Sequence, residues 1–421
     1  MVERGKPMFD TKVRFLVCSD VHYMDEPTPS RERFAKMIAM GYEIAEKEGG
    51  SLDAVCVCGD FTNTGSETQF AAFRDTVRAG LHAETTFIPV LGGHEYLHAS
   101  PEFKYLHNPL KPEFQIAISG KPHAIERLKE YLDCEPDTHH VIHGFHFIGL
   151  STTRTTSQWY DSFTTEKIEW LNDQLCEAAA DTPRKPIFVF RHPHIQGTVY
   201  GENGWSCAEL NNTLVGFPQV VDFSGHSHAP CSDPRTVHQR DFTCVGTGSL
   251  SYMMGNDYGV SDSGRHDWNC NAAQALLVDA DDAGNVRIRV WDAVENEFRD
   301  DRFLEKVWDP NYFTYDDRRI LTTKAPDFAE NSEIIAKKSD KKLKIEFAQA
   351  DGDTVKYAVS LRRADGSVAG RKVIYSRQIL SHPPKMLSVE FEDNEDANYV
   401  EITPMGYYDL PGKPIAKKIR A

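Results

Sequence analysis

Nowhere among the 421 residues does an apolar run approach the ~20 positions a helix needs to cross a bilayer, which argues against a membrane partner. The first twelve residues are charged and lack the apolar stretch of a secretion signal, so a reduced, cytoplasmic setting is expected. Basic charge is scarce. Lys and Arg number 47 against 63 Asp and Glu, a net charge of -16. That balance argues against adhesion to nucleic acid, but it leaves a phosphorylated substrate open, because a bound metal can supply local positive charge. The nine cysteines are odd in number and form no CxxC pair. Cys18, Cys56 and Cys58 lie in apolar runs, where cysteine acts as a small buried hydrophobe. No internal repeat or low-complexity tract is present. With 40% hydrophobic and 26% charged residues, a globular protein remains. Its length suggests roughly two or three domains.

What is there begins with residues 13–18, a continuous apolar run that reads as a strand buried on both faces. Asp20 and His22 follow it. In open α/β sheets, ligands bind beyond the carboxyl ends of strands, and carboxylate with imidazole suits a divalent metal. Alone, the pair is equally a capping acid beside a surface histidine. The pattern then recurs. Phe34, Met37, Ile38, Gly41 and Ile44 keep helical spacing up to Gly49-Gly50. Strand 54–58 runs into Gly59-Asp60, and Ser66-x-x-Gln69 opens a helix bearing Phe70, Phe73 and Val77. Strand 86–91 delivers Gly92-Gly93-His94-Glu95. Strands alternating with helices predict an α/β fold.

Residues 96–138 read as an irregular insertion that shapes a pocket, with one helix over 124–132. Beyond it, the pattern predicts one alternating strand over 141–150 and a helix carrying Ile168, Leu171 and Leu175. Strand 186–190 ends at Arg191-His192-Pro193-His194, and strand 219–223 at Ser224-Gly225-His226-Ser227-His228. Strands over 242–245, 275–278 and 286–291 complete this part. Near Lys324 the composition changes to short alternating segments, such as 356–361 and 399–402, which read as a small all-β sandwich. The expected division is a catalytic domain over 1–324 and a sandwich over 325–421.

Asp20-x-His22, Gly59-Asp60, Gly92-x-His94-Glu95, His192 and Gly225-His226-x-His228 together resemble the calcineurin-like metallophosphoesterases, in order and spacing over about the first 300 residues. The resemblance implies two mixed β-sheets sandwiched between helices, with two divalent ions (Mn, Fe, Zn, Co or Ni) at the strand ends. By position, Asp20, His22 and His228 would hold the first metal, Asp60 would bridge, and His192 and His226 would hold the second. Two cations about 3.5–4 Å apart can grip a phosphate mono- or diester while a hydroxide between them attacks in line. His94 would assist the departing oxygen, with Glu95 orienting its ring. The glycines before these residues are expected to make the sharp turns.

One position departs from the family. Gly93 stands where members usually carry Asn, an oxygen donor to the second metal. The weaker site this implies keeps a second reading open: a phospholigand-binding or regulatory protein on the same scaffold. His194 competes with His192 as a ligand, and the family pattern favours His192. His82, His98, His107, His139 and His140 are read as surface or pocket-wall residues. Tyr96, Arg154, Tyr200, Trp205, Tyr252 and Asn256 lie near the blocks and are read as packing or solvated residues. The C-terminal segment vaguely resembles a fibronectin type III sandwich. Docking on the catalytic domain, self-association and an external protein partner are all compatible with it.

Overall fold

In the computed structural model, which describes residues 9–97, 104–107, 115–119, 123–153, 162–202, 206–255, 268–269, 271–339 and 341–419, strand Val13–Cys18 is buried at every position. Alternation divides its side chains between two cores. Val13, Phe15 and Val17 enter one, Leu16 and Cys18 the other. That two-sided burial is why the run is apolar throughout.

The strand pairs in parallel with Ala54–Cys58, which pairs in parallel with Thr86–Val90. On its other side lie Gln274–Ala280, Val286–Asp292 and Glu297–Leu304, all antiparallel, completing a six-stranded mixed sheet. A second six-stranded sheet runs Val237–Gln239, Thr243–Gly246, Val220–Ser224, Ile187–Arg191, Phe145–Leu150, Asp137–Ile142 in spatial order. Its inner pairings are parallel and its outer ones antiparallel. The sheets meet face to face through aromatic rings. Phe15 stands 4.7 Å from Phe188, 5.0 Å from Phe147, 6.0 Å from Phe223 and 6.1 Å from Phe190. Offset and edge contacts of this kind add ~0.5–1.5 kcal/mol per pair beyond area burial.

Helices Pro29–Glu48 and Glu67–Gly80 cover the outer face of the first sheet. They pack Phe34, Met37, Phe70 and Phe73 into one cluster with Leu16, Val55 and Val57. The first of these helices ends where expected, at Gly49 in the left-handed conformation. Helix Thr165–Asp181 covers the second sheet with Leu171, Leu175 and Ala178. The insertion helix forms over Ala124–Leu132, and its buried Arg127 donates to the Gly65 carbonyl at 2.7 Å.

One predicted strand is two. Asp137–Ile142 and Phe145–Leu150 form a hairpin that turns at His143 and Gly144, with φ of 51° and 73°. Two successive left-handed residues give the twist a two-residue hairpin requires. The apparent alternation across 141–150 ran on through the turn and hid it, although Phe145–Leu150 is buried at every position.

From Arg318 onward the chain falls in a further compact unit. Strands Ile334–Ser339, Lys342–Ala348 and Met386–Glu392 form one antiparallel sheet. Val368–Tyr375, Thr354–Arg362, Tyr399–Gly406 and Ile415–Lys418 form the other. Side chains alternate in and out, and Ile345, Phe347, Tyr357, Val359, Phe391 and Val400 make a core of their own. Among the described residues, no helix is long and apolar enough to cross a membrane. The described cysteines are free; Cys18, Cys56, Cys58, Cys207, Cys231 and Cys244 are buried, and Cys176 is exposed.

Because each unit has its own apolar core, a chain ending at Lys324 is expected to unfold in one cooperative denaturant transition and to bind Mn²⁺ like the full chain. Size-exclusion chromatography showing only aggregate would overturn this.

Candidate metal centre

At the strand ends the backbone takes conformations that most side chains avoid. Asp20, His22, Asp60, His226 and His228 have φ of 52°, 48°, 51°, 72° and 55°. Left-handed backbone costs on the order of 1–2 kcal/mol per L-residue, although Asp and His enter it more readily than most. Such a concentration of unfavourable torsions marks a functional site. It also corrects the expectation for the glycines, because the polar residues themselves make most of these turns. Gly92 and Gly225 have no positive φ; they provide room. A Cβ on Gly92 would lie 2.3 Å from Asp60 Oδ1, and one on Gly225 1.8 Å from Ser19 Oγ. Gly59 alone among the three turns, with φ of 81°.

The side chains delivered there form overlapping groups. Asp20, His22 and His228 bring their ligand atoms within 4.8 Å of one another, as do Asp60, His192 and His226. A third group joins His22, Asp60 and His94 at the same limit. Each carboxylate uses one oxygen for the protein. Asp20 Oδ2 accepts from the Ser19 hydroxyl and, at 3.0 Å, from His226 N–H, while Asp60 Oδ1 accepts from His94 N–H at 2.8 Å. The other oxygens face imidazoles.

The tautomers decide what those imidazoles offer. His192 Nδ1 lies 2.7 Å from the Cys58 carbonyl and His228 Nδ1 2.7 Å from the Tyr252 carbonyl. A carbonyl only accepts, so in both rings Nδ1 carries the proton. Each Nε2 then turns a lone pair toward a carboxylate, His192 at 3.0 Å from Asp60 Oδ2 and His228 at 3.1 Å from Asp20 Oδ1. Asp20 Oδ1 is buried with no hydrogen-bond donor. Buried acceptors opposed in this way are costly unless a proton or cation lies between them. The residues therefore fit divalent ions of borderline hardness.

Burial alone would raise the carboxyls of Asp20 and Asp60, yet positive charge at the positions of the His228 and His192 rings holds both well below the usual range, so each carboxylate calls for a cation there. Burial pushes His22 down to about 4, with His94 adding to it, so its ring is neutral at ordinary pH.

His94 opens the turn His94–Tyr96, and its side chain is 36% exposed. Nδ1 donates to the Asn63 carbonyl at 2.6 Å, and Nε2 lies 3.9 Å from Asp60 Oδ2. The Asn63 carbonyl therefore orients this ring, which corrects the role expected of Glu95. The Glu95 carboxylate is fully buried and accepts from Asp60 N, Gly92 N, Thr62 N and Thr62 Oγ1 at 2.8–3.0 Å. It pins the loop beyond Asp60. Burial, followed by the Asp60 charge, raises its carboxyl to about 8.

His194 lies outside these groups, held between the hydroxyls of Ser224 and Ser227 at 2.7 Å each. His82 stacks on Tyr42, and His139 bonds Gln174 and His146. Burial lowers the half-buried His140. Tyr96 donates to the Thr152 carbonyl and Tyr200 lies under Arg235. Tyr252 does more than fill space. Its ring lies over His228 and His22, 4.3 and 5.4 Å between centroids. His98, Arg154, Trp205, Asn256 and the side chain of His107 lie outside the described residues. Sequence reasoning missed Ser19, Thr62, Asn63 and Ser249, whose hydroxyl donates to the Asp20 carbonyl at 3.0 Å. Their only signal was a polar residue next to a strand end.

The calcineurin-like phosphoesterase family model matches residues 13–230, and the chain belongs to that family. None of the curated proteins matches it. Among solved structures it is similar to a purple acid phosphatase isolated from seeds of yellow lupin (Lupinus luteus), at 14% identity and a TM-score of 0.44. That match covers 74% of this chain and 55% of the lupin protein, so this chain spans little more than half its relative's length.

Gly93 has φ of -72° and ψ of -33°, helical values open to any L-residue. Gly93→Asn is therefore expected to add an oxygen donor beside Asp60, His192 and His226 without backbone strain. Ligand-sphere changes commonly move metal affinity ~10–100-fold, so calorimetric Mn²⁺ binding at the weaker site should tighten within that range. Identical isotherms would show that nothing is missing at residue 93. In the unchanged protein, anomalous scattering at limiting metal should find the site of His22 and His228 fuller than that of His192 and His226. Equal occupancy would count against an impaired second site.

Proposed function

We propose that this protein hydrolyses a phosphate mono- or diester at a centre of two divalent ions. Asp20, His22 and His228 would hold one ion, His192 and His226 the other, and Asp60 both. The observation that carries the reading is the opposition of lone pairs across Asp20/His228 and Asp60/His192, at 3.1 and 3.0 Å. The ions would supply Lewis acidity to the phosphoryl oxygens and the acidity that activates water.

The residues do the rest. Asn63 holds the proton of His94 on Nδ1, so a second proton on Nε2 makes the ring a donor toward the departing oxygen. Partial exposure lets that nitrogen reach a substrate. Glu95 supports Asp60 from behind through the Asp60 and Gly92 N–H groups. A phospholigand-binding protein is the competing reading, and Gly93 is its motive. Retention of a tautomer-fixed His94 favours hydrolysis. Substrate choice is left to the loops, because the fold does not set it.

His94→Ala is expected to lower turnover of an alkyl phosphate ~10²–10⁴-fold, the usual worth of general acid help, with metal content unchanged. For an aryl phosphate whose phenol leaves without a proton, the loss should be much smaller. Equal losses on both esters, measured at saturating Mn²⁺, would remove His94 from the leaving-group role.

A further inference from the structure

Gln69 is 2% exposed in the first turn of helix Glu67–Gly80, and its backbone N–H is capped by Ser66 Oγ. In a reciprocal capping box its side chain would return to the Ser66 N–H. It goes elsewhere. Gln69 Oε1 accepts from Thr64 N at 2.8 Å, Asn63 N at 3.1 Å and Thr64 Oγ1 at 3.2 Å. Its Nε2 reaches Asp25 Oδ1 at 3.4 Å.

The Thr64 N–H and the Asn63 carbonyl belong to one rigid peptide plane and point in opposite directions. Drawing that N–H toward Gln69 therefore aims the carbonyl the other way, where it meets His94 Nδ1 at 2.6 Å. Neighbouring groups are already fixed. Thr62 N donates to Glu95 Oε1 at 2.8 Å and Asn63 N to the Tyr23 carbonyl at 2.9 Å. The orientation of the Asn63–Thr64 peptide is thus left to Gln69. Hydrogen bonds in such a chain also polarise one another, strengthening the grip on His94.

We propose that Gln69 is a positioning residue for His94, acting through the Asn63–Thr64 peptide. The proposal rests on the reading of His94 as the leaving-group residue. Gln69→Leu removes the acceptor at similar size, and Gln69→Glu, made together with Asp25→Asn so that no two carboxylates are opposed, keeps an oxygen there. On an alkyl phosphate, Gln69→Leu should lose about 10–100-fold in kcat, the usual worth of an orienting partner. An acidic aryl phosphate should be turned over nearly as before, metal content should be unchanged, and Gln69→Glu should restore most of the loss. In a His94→Ala background, Gln69→Leu should cost nothing further, as expected of residues acting as one unit.

A His94→Ala enzyme impaired equally on both esters would overturn the His94 reading itself. A His94→Ala enzyme with the expected ester dependence, but an additive loss from Gln69→Leu, would overturn the Gln69 proposal alone. Equal loss in the Leu and Glu variants would do the same. If Gln69→Leu does not fold, Gln69→Met, which also lacks an acceptor, carries the test.

Discussion

Everything at the strand ends depends on carboxylate oxygens and imidazole nitrogens that face one another and need a proton or a cation between them. Cys58 and Tyr252 create that condition. By accepting from the Nδ1–H groups of His192 and His228, their carbonyls turn both Nε2 atoms toward carboxylates. Both residues act here through the backbone, whatever their side chains do. Cys58 ends the second strand of the first sheet, so the register of a buried strand fixes the tautomer of a ring on the other sheet. Sheet packing and acid–base state are one problem here.

The scaffold is stiff where this matters. Directly before His192, Arg191 and Asp222 form a fully buried bidentate pair joining adjacent strands. Removing one partner from such a pair costs about 3–5 kcal/mol, because the other charge is stranded. Below it, the rings of Phe190 and Phe223 stack at 5.5 Å. The left-handed residues are thus anchored in an interior that can hold unfavourable torsions, as functional sites often require.

Much of this was legible in the chain. Strands 13–18 and 54–58 announced themselves because two-sided burial demands unbroken apolar runs. Asp20, His22, Asp60, His192, His226 and His228 were legible because chemistry restricts residue type where strands end. What could not be read was direction. Nothing in Glu95 says that its oxygens turn to the backbone of residues 60–62 instead of to the adjacent His94. Asn63 serves through its carbonyl, which every residue has. Tyr252 lies far along the chain from the histidines it covers. The hairpin at His143-Gly144 was missed because the apparent alternation across 141–150 runs straight through the turn.

The distribution of sulfur has a practical consequence. All nine cysteines precede residue 318, and the compact unit beyond it has none. Burial raises the thiols of Cys18, Cys56, Cys58, Cys231 and Cys244, which makes them poor nucleophiles as well as inaccessible ones. Cys176 stands exposed on its helix. An alkylating reagent would therefore mark Cys176 in the native protein and reach Cys18, Cys56, Cys58, Cys231 and Cys244 only through opening of the phosphoesterase unit. Label gained over time at those five thiols becomes a clock for that opening, blind to any unfolding of the sandwich.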